Sequence, residues 1–253
     1  MSMISRHQYY DHLPPNDQKI YDTLLDGFIH LKREVLVENI PCTNSIFTIC
    51  RYITFDHPDV FWIDYYGVIT RYSGPKYNVI EMPYYFNDEE IMFYLRRVRA
   101  WRSTIIAGID KHLPASEKLR LVFDYFERRT TYGREDMKFS QTIVGPCRID
   151  NEVSVCEGIA KSLKYLCDAM DIPCMIPYGE VHFGPRHLGK HAWNIVDLDG
   201  IYRHIDGVNY LSEGKVYGKV KSDFLKTDRQ MKVCVYNDKP LYSWDESMTP
   251  ECL

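Results

Sequence analysis

Three short stretches of the sequence decide the fold: residues 154–158 (Ser-Val-Cys-Glu-Gly), residues 191–194 (His-Ala-Trp-Asn) and residues 204–207 (His-Ile-Asp-Gly). They supply a cysteine, a histidine and an aspartate in that order. Thiol acyl-transfer chemistry needs these side chains as a nucleophile, a base that deprotonates it, and an acceptor that orients the base. We therefore predict a catalytic site formed by Cys156, His191 and Asp206.

The first stretch has the form of a helix N-terminus. Ser154 and Glu157 are three residues apart, as in a capping box, which predicts Ser154 as the N-cap and Glu157 as its partner. Apolar residues then recur at helical spacing up to Pro173. Cys156 would lie in the first turn, where unpaired N–H groups and the helix dipole favour a thiolate. Gly158 is unfavourable in a helix, so we expect another backbone or a substrate to approach closely there.

The histidine and the aspartate are predicted to lie on neighbouring strands of a hairpin. Residues 191–197 are expected to form the first strand, Asp199-Gly200 the turn and residues 201–206 the second strand. A two-residue loop makes His191 and Asp206 diagonal neighbours, and a four-residue loop makes them direct neighbours. Both loops place them on one face of the sheet, whereas a three-residue loop would place them on opposite faces.

The composition excludes several classes of protein. A chain of 253 residues is enough for one large domain or two small ones, and 45% hydrophobic with 26% charged residues is ordinary for a soluble globular protein. With a formal charge of −4 and no basic tract, nucleic acid is not an expected partner. The sequence shows neither a signal peptide nor a run of about eighteen apolar residues. We therefore expect a cytoplasmic protein that does not enter the membrane.

The eight cysteines include no Cys-x-x-Cys pair. Without a secretory signal, reduced thiols are favoured over a disulfide framework, and a structural zinc site is not predicted. Apart from Cys156, the cysteines are expected to be small buried hydrophobic residues. No cofactor is predicted.

The pattern of apolar residues divides the chain into a mainly helical N-terminal region, residues 1–113, and a catalytic core, residues 114–253, although the two could form one compact unit. Helices are predicted over residues 17–37, 87–111 and 116–129, the second one opened by Asn87 and Glu90 as a capping pair. The remaining N-terminal segments are residues 46–55, compatible with a helix or a strand, and residues 61–66 and 67–72, expected as short β segments.

The ordered motifs resemble the transglutaminase-like branch of the papain-like thiol enzymes, in particular bacterial proteins with a transglutaminase domain. Members have Cys-x-Gly at the start of a helix, then His-Ala-Trp-Asn and, after a short turn, His-x-Asp. The resemblance covers residues 138–210, including Gln141-Thr142 and residues 171–174 (Asp-Ile-Pro-Cys), and extends more weakly to residues 56–62 and Glu117-Lys118. It implies an α+β fold in which the cysteine, at a helix N-terminus, packs on an antiparallel sheet that carries the histidine and the aspartate.

The resemblance also implies a role for each site residue. Cys156 attacks an amide carbonyl of a peptide or protein substrate, His191 acts as base and then as acid, and Asp206 holds the imidazole. The Cys156 backbone N–H and the Gln141 side chain form the oxyanion site. Neighbouring support comes from Trp193 and Asn194.

Two departures from the family pattern lie beside the site. Ile159 stands where members usually have an aromatic residue, and residues 207–210 (Gly-Val-Asn-Tyr) stand where many carry Thr-Trp. The departures bear on the choice of substrate and not on the three catalytic residues.

Several functions are open on the sequence. A cysteine peptidase or amidase is favoured because water is always available to resolve the acyl-enzyme, and a protein-glutamine transamidase or deamidase would form the same intermediate. A metal site is a further alternative, since His182, His187 and His191 are close in sequence and His204 could share their face. The last alternative is a non-catalytic interaction module on the same fold.

Overall fold

The computed structural model describes residues 4–38, 42–133, 136–148, 152–184, 187–208, 224–236 and 239–253, with the backbone alone for residues 182–184, 187–188, 234–236 and 239. The chain divides into two compact units: one is His7–Arg96, and the other joins the N-terminal residues up to Arg6 with Arg97–Leu253. The sequence placed a boundary at residues 113/114, and which stretch folds by itself stays a prediction. Among the described residues, no helix combines the length and apolar character needed to cross a membrane.

The unit of His7–Arg96 combines helices with one antiparallel sheet. Its elements are helices α1 (Gln8–His12), α2 (Pro15–Ile29) and α3 (Ile46–Asp56), strands β1 (Glu34–Glu38), β2 (Ile69–Tyr72) and β3 (Tyr77–Glu81), and the first part of helix α4 (Asp88–Ala107). The strands are ordered β1-β3-β2. The predicted capping pair at the start of α4 is confirmed, since the Asn87 N–H donates to Glu90 Oε2 and the Glu90 N–H donates to Asn87 Oδ1, both at 2.9 Å.

The predicted first helix, residues 17–37, is wrong at its C-terminal end. Helix α2 ends at Ile29, Leu31 adopts the left-handed conformation with φ of 52°, and β1 follows. In β1 the buried residues Val35 and Val37 alternate with exposed ones, which is the period of a half-buried strand. Val35 also falls at a helical interval from the apolar residues of α2, and this coincidence produced the overlong helix.

The structure shows which secondary structure each of the other predicted N-terminal segments adopts. Residues 46–55 adopt the helical option, α3, whose N-cap Ser45 accepts the Thr48 N–H on its Oγ at 3.2 Å. Residues 61–66 hold an isolated bridge at Ile63 and not a strand. The β segment expected over residues 67–72 is β2.

Besides the remainder of α4 and a 3-10 helix, Glu246–Met248, the second unit contains five helices and eleven strands in its described part. The helices are α5 (Ala115–Arg129), α6 (Met137–Ser140), α7 (Val144–Cys147), α8 (Cys156–Ala169) and α9 (Asp228–Met231). The strands are β4 (Thr131–Tyr132), β5 (Val153–Ser154), β6 (Cys174–Met175), β7 (Tyr178–Gly184), β8 (His187–Ala192), β9 (Asn194–Leu198), β10 (Ile201–Ile205), β11 (Phe224–Lys226), β12 (Cys234–Tyr236), β13 (Lys239–Pro240) and β14 (Tyr242–Trp244). Two antiparallel sheets, β11-β10-β9-β6 and β14-β7-β8, carry the site described below. The overall class is therefore α+β, as predicted.

Helix α8 is buried on nearly every side. Its fully buried apolar residues are Ile159, Leu163, Leu166 and Cys167. Two lysines are buried with them, and each is paired one turn away: Lys161 Nζ lies 2.6 Å from Glu157, and Lys164 Nζ lies 2.6 Å from Asp168. A buried charge is tolerated when it is paired, so these ion pairs allow charged residues in a core helix that presents its N-terminus to the site.

The hairpin of β9 and β10 adopts the two-residue loop. Asp199 and Gly200 form the loop with φ of 57° and 87°, and Leu198 pairs with Ile201. Positive φ at both loop positions defines the type I′ turn, which the Asp-Gly sequence favours. This register is one of the two that the sequence analysis required.

The expected first strand, residues 191–197, is broken at Trp193. Residues before the break belong to β8 and those after it to β9, and the two strands lie in different sheets. At the break the Trp193 N–H turns toward the Pro177 carbonyl at 3.4 Å, and the indole enters a buried cluster with Val181 and Tyr242. The prediction that one sheet face carries both the histidine and the aspartate is therefore wrong, because each comes from the end of a different sheet.

The described cysteines are free thiols. The buried ones, as predicted, are Cys50, Cys147, Cys167, Cys174 and Cys252. Cys42 is exposed, contrary to the prediction, because Asp17 holds the neighbouring backbone through the Thr43 and Asn44 N–H groups and leaves the thiol outside. The side chain of Cys234 lies outside the described residues.

Substitution of a glycine in β7 tests how tightly β14 packs against it in the sheet β14-β7-β8. A Cβ added to Gly179 would overlap the Ser243 carbonyl oxygen and lie 3.0 Å from the Trp193 ring. We expect Gly179→Ala to lower the free energy of unfolding by about 2 kcal/mol, measured by urea denaturation. Gly108→Ala is the matched control, because the nearest atom to its added Cβ is 3.4 Å away. Equal effects of the two substitutions would contradict the prediction.

Candidate active site

Cys156 is the first residue of α8, in the first turn that the sequence predicted. The first helical hydrogen bond joins the Ile159 N–H to the carbonyl of the N-cap Val155 at 3.1 Å. The N–H groups of the first turn, including that of Cys156, consequently have no acceptor within the helix. Cys156 is partly exposed, so a thiol at a helix end that favours a thiolate is open to a reactant.

The predicted capping box at this helix is wrong. Val155 is extended and acts as the N-cap without a side-chain bond, which places Ser154 one residue too early. The Ser154 hydroxyl instead donates to the Ser140 carbonyl at 3.1 Å. Glu157 forms its ion pair with Lys161. Ser154 therefore serves a contact with a distant segment, and Glu157 an ion pair within the helix, rather than the cap.

Gly158 is required by a crossing backbone, which is one of the two reasons that the sequence analysis allowed. A Cβ at Gly158 would overlap the Ser140 carbonyl oxygen and the Ser154 hydroxyl. The Val155 N–H donates to the same Ser140 carbonyl at 3.0 Å. Residues 140–142 are thereby held against the first turn of α8.

His191 and Asp206 form a buried pair. His191 Nε2 lies 2.7 Å from Asp206 Oδ2, and the two side chains are 1% and 0% exposed. His191 is on β8, and Asp206 directly follows β10. Because Nε2 faces the carboxylate, Nδ1 is left for another partner, and the Cys156 side chain is among the groups that raise the pKa of His191. The structure thus pairs two of the three predicted residues, His191 and Asp206.

Two further donors hold the aspartate. The Tyr242 hydroxyl donates to Asp206 Oδ2 at 2.5 Å, and the Val208 N–H donates to Oδ1 at 2.9 Å. The second contact could have been predicted, since an aspartate often accepts the N–H two residues further on. Tyr242 was missed by the sequence analysis. It is one of 20 tyrosines, and no local pattern marks it.

These contacts keep His191 and Asp206 charged at neutral pH. Burial by itself lowers the pKa of His191, but the Asp206 carboxylate and the Cys156 sulfur outweigh it and raise that pKa to about 10. Burial raises the pKa of Asp206, yet the imidazolium, the Tyr242 hydroxyl and the Val208 N–H together lower it below its ordinary value.

Trp193 and Asn194 lie behind the histidine. The indole ring of Trp193 is nearly parallel to the His191 ring, with centroids 5.9 Å apart and an interplanar angle of 20°. The Asn194 side-chain amide donates to the Ala160 carbonyl at 3.0 Å, which ties β9 to α8. Both residues thus support the elements that carry the site.

Gln141 lies beside the first turn of α8, in the segment that crosses Gly158. Its carbonyl accepts from Lys161 Nζ at 3.4 Å. Its Oε1 is buried and, within the described part of the chain, has no hydrogen-bond partner. A buried amide oxygen in this state is costly, so the side chain retains bonding capacity next to the cysteine turn.

The two departures from the family pattern touch each other. A Cβ at Gly207 would lie only 2.7 Å from Ile159 Cγ2 and 3.1 Å from Phe123 Cε1. A larger residue at position 207 therefore requires a change at position 159, and the two departures form a matched pair beside Asp206. Residues 209 and 210 lie outside the described residues.

Of the histidines in the metal alternative, His191 is paired with Asp206, and the side chains of His182 and His187 lie outside the described part of the chain. One described group has donor atoms within 4.8 Å of one another, namely His204, Asp228 and Cys252. His191 does not belong to that group.

Comparison with solved structures gives two similar chains. One is described as a TGase; it is 12% identical with a TM-score of 0.39, over 64% of this chain and 48% of that one. The other is a candidate cysteine protease from Cytophaga hutchinsonii, 17% identical with a TM-score of 0.36, over 52% of this chain and 51% of that one. This chain thus matches about half of each.

No protein-family model matches the chain, and no curated protein matches it.

Tyr242→Phe tests the contact that the sequence did not reveal. The substitution removes one donor from a fully buried carboxylate, so we expect the free energy of unfolding at pH 7 to fall by about 2 kcal/mol, measured by urea denaturation. Tyr72→Phe is the control, since Tyr72 is 73% exposed. A Tyr242→Phe protein as stable as the control would show that the hydroxyl does not hold Asp206.

Asp206→Asn tests the charge state of His191. In the unaltered protein NMR titration should show the imidazolium persisting to about pH 10, and the Asp206→Asn substitution should move the transition to lower pH. The pKa of His191 in the folded protein exceeds its value of about 6.5 in the unfolded chain. Protonation of His191 therefore stabilises the folded protein fully below about pH 6.5, and this stabilisation is lost as the pH rises toward about 10.

The loss of stability over that pH window should therefore shrink in Asp206→Asn. Asp26→Asn, next to the exposed His30, is the control and should leave the pH dependence unchanged. An identical pH dependence in all three proteins would refute the charged pair.

Proposed function

We propose that the protein is a thiol acyl-transfer enzyme, a cysteine peptidase or amidase, that uses Cys156, His191 and Asp206 to cleave amide bonds in a peptide or protein substrate. The observation that supports it best is the buried pair of His191 and Asp206, joined through Nε2, together with the contribution of Cys156 to the raised pKa of His191. In this proposal Cys156 is the nucleophile, His191 the base and Asp206 the group that orients the base, which is the order that the chemistry needs.

Acylation begins with the Cys156 thiolate and the His191 imidazolium. The sulfur attacks the carbonyl carbon of the scissile amide, and the carbonyl oxygen takes up the negative charge. His191 then gives its Nδ1 proton to the leaving nitrogen as the carbon–nitrogen bond breaks. The products are a free amine and a thioester on Cys156, with a neutral His191 still held by Asp206.

The oxyanion is stabilised by donors at the start of α8. The Cys156 N–H is one of those without an acceptor inside the helix, and the helix dipole adds to its effect. The Gln141 side-chain amide nitrogen is the second donor that we propose, because Gln141 lies in the segment that crosses Gly158 at the start of this helix. Each such donor typically contributes about 3 kcal/mol to lowering the barrier.

Deacylation returns the enzyme to its starting state. Neutral His191 removes a proton from a water molecule at Nδ1, and the hydroxide attacks the thioester carbonyl. The carbon–sulfur bond breaks, a carboxylic acid leaves, and the thiolate and the imidazolium are restored. An amine in place of water would give a new amide, so the acyl-enzyme is common to hydrolysis and transamidation.

The thiol reactivity of Cys156 tests this function without knowledge of the substrate. We expect iodoacetamide to alkylate Cys156 roughly 100-fold faster than an ordinary exposed thiol at pH 6, because a thiolate–imidazolium pair stays reactive where a free thiol is protonated. Mass spectrometry across pH 5 to 9 gives the rate at each cysteine. Cys42 is an internal control, since it is exposed and lies outside the site.

Two variants complete this experiment. Cys156→Ala should abolish the fast phase, and His191→Ala should slow Cys156 to the rate of Cys42 at pH 6. If Cys156 and Cys42 react equally in the unaltered protein, the three residues have a structural role and an interaction module becomes the better interpretation.

A further inference from the structure

A second histidine–aspartate pair lies behind the first. The Trp193 indole N–H donates to His204 Nδ1 at 2.9 Å, and His204 Nε2 lies 2.6 Å from Asp228 Oδ1. Trp193 and His204 are buried, whereas the Asp228 side chain keeps 18% exposure. The three residues form a line of hydrogen bonds that ends at the ring stacked on His191.

The indole fixes the tautomer of His204. An indole N–H can only donate, so Nδ1 is the unprotonated nitrogen of a neutral imidazole. The ring proton then lies on Nε2 and points at the Asp228 carboxylate. Burial lowers the pKa of His204 and outweighs the raising effect of Asp228, which keeps the ring neutral near pH 7.

This tautomer excludes a metal ion from the group of His204, Asp228 and Cys252. Imidazole, carboxylate and thiolate donors within 4.8 Å of one another would suit zinc. A metal at Nε2 would move the ring proton to Nδ1, where it would face the Trp193 N–H. Two donors cannot bond to each other, so the group is a hydrogen-bonded support.

We infer that His204 and Asp228 are positioning residues that set the orientation of His191 through Trp193. The inference rests on the proposed function, since it assigns a role relative to the His191 base. The near-parallel ring contact with Trp193 determines the plane of the His191 imidazole, and His204 determines where the indole N–H points. Neither His204 nor Asp228 takes part in proton transfer at the sulfur.

Asp228 is itself fixed by the backbone around it. It is the first residue of α9, behind a capping box of Thr227 and Gln230, and its N–H donates to the Cys252 carbonyl at 2.8 Å. The Trp244 ring contacts the rings of His204 and Trp193 with centroids 4.9 and 5.6 Å away. The support behind His191 is therefore rigid from Asp228 to the indole.

Two substitutions of His204 separate its two bonds. Asparagine places its Oδ1 near the position of Nδ1, so His204→Asn keeps the acceptor for Trp193 and loses the donor to Asp228. Glutamine places its amide nitrogen near the position of Nε2, so His204→Gln keeps the donor to Asp228 and loses the acceptor. When its bond to His204 is lost, the partly exposed Asp228 can form a hydrogen bond with water instead. The buried indole N–H has no such replacement acceptor.

The experiment measures the alkylation rate of Cys156 by iodoacetamide at pH 6 in the full chain. We expect His204→Gln to react about tenfold more slowly than the unaltered protein, because small misplacements of catalytic groups are costly, and His204→Asn to stay within about threefold. His30→Asn and His30→Gln are matched controls, since His30 forms an exposed pair with Asp26. Circular dichroism verifies that each variant is folded.

Nitrogen-15 NMR of the unaltered protein supplies a readout that does not depend on a variant. The Nε2–H tautomer of His204 and a downfield Trp193 indole N–H, shifted back in His204→Gln alone, support the inference. An Nδ1–H tautomer, equal rates for the two His204 variants, or stoichiometric zinc binding abolished by His204→Asn would overturn it and leave the proposed function intact. If Cys156 reacts no faster than Cys42 in the unaltered protein, the proposed function fails first and the inference falls with it.

Discussion

The site depends on one buried contact, the 2.7 Å ion pair of His191 and Asp206. Two charges in a dry interior are unfavourable unless their mutual attraction and additional hydrogen bonds offset the loss of water. Asp206 receives three donors, from His191, Tyr242 and Val208. The strands β8, β10 and β14 have to be in place before these donors meet. Formation of the site therefore depends on the fold of the whole second unit rather than on one motif.

Features that depend on near neighbours could be predicted from the sequence. The capping pair at Asn87, the Asp199-Gly200 turn and the position of Cys156 in the first turn of a helix each involve residues a few positions apart. Backbone geometry alone decides such contacts. Two residues of the candidate site have a similar local signal, since Cys156 begins a helix and Asp206 directly follows a strand.

Features that depend on distant segments could not. Ser154 has the spacing of an N-cap, but the Ser140 carbonyl takes its hydroxyl and Val155 occupies the cap. The strand of residues 191–197 breaks at Trp193 because the indole packs with Val181 and Tyr242. These residues are too far from Trp193 in the sequence for the periodicity of apolar residues to reveal the contact. In both cases the local preference is worth less than the tertiary contact that replaces it.

The two histidine–aspartate pairs show how the surroundings decide the chemistry of the same side chains. His191 has a carboxylate at Nε2, and Asp206 and Cys156 together outweigh burial and raise its pKa. His204 has a carboxylate at one nitrogen and an indole donor at the other, so burial prevails and lowers its pKa. When a donor faces Nδ1, the ring can become an imidazolium only if that hydrogen bond is broken. An acceptor that faces Nδ1 stabilises the imidazolium instead. One pair is thereby suited to exchange a proton and the other to stay fixed, and Trp193 joins the two.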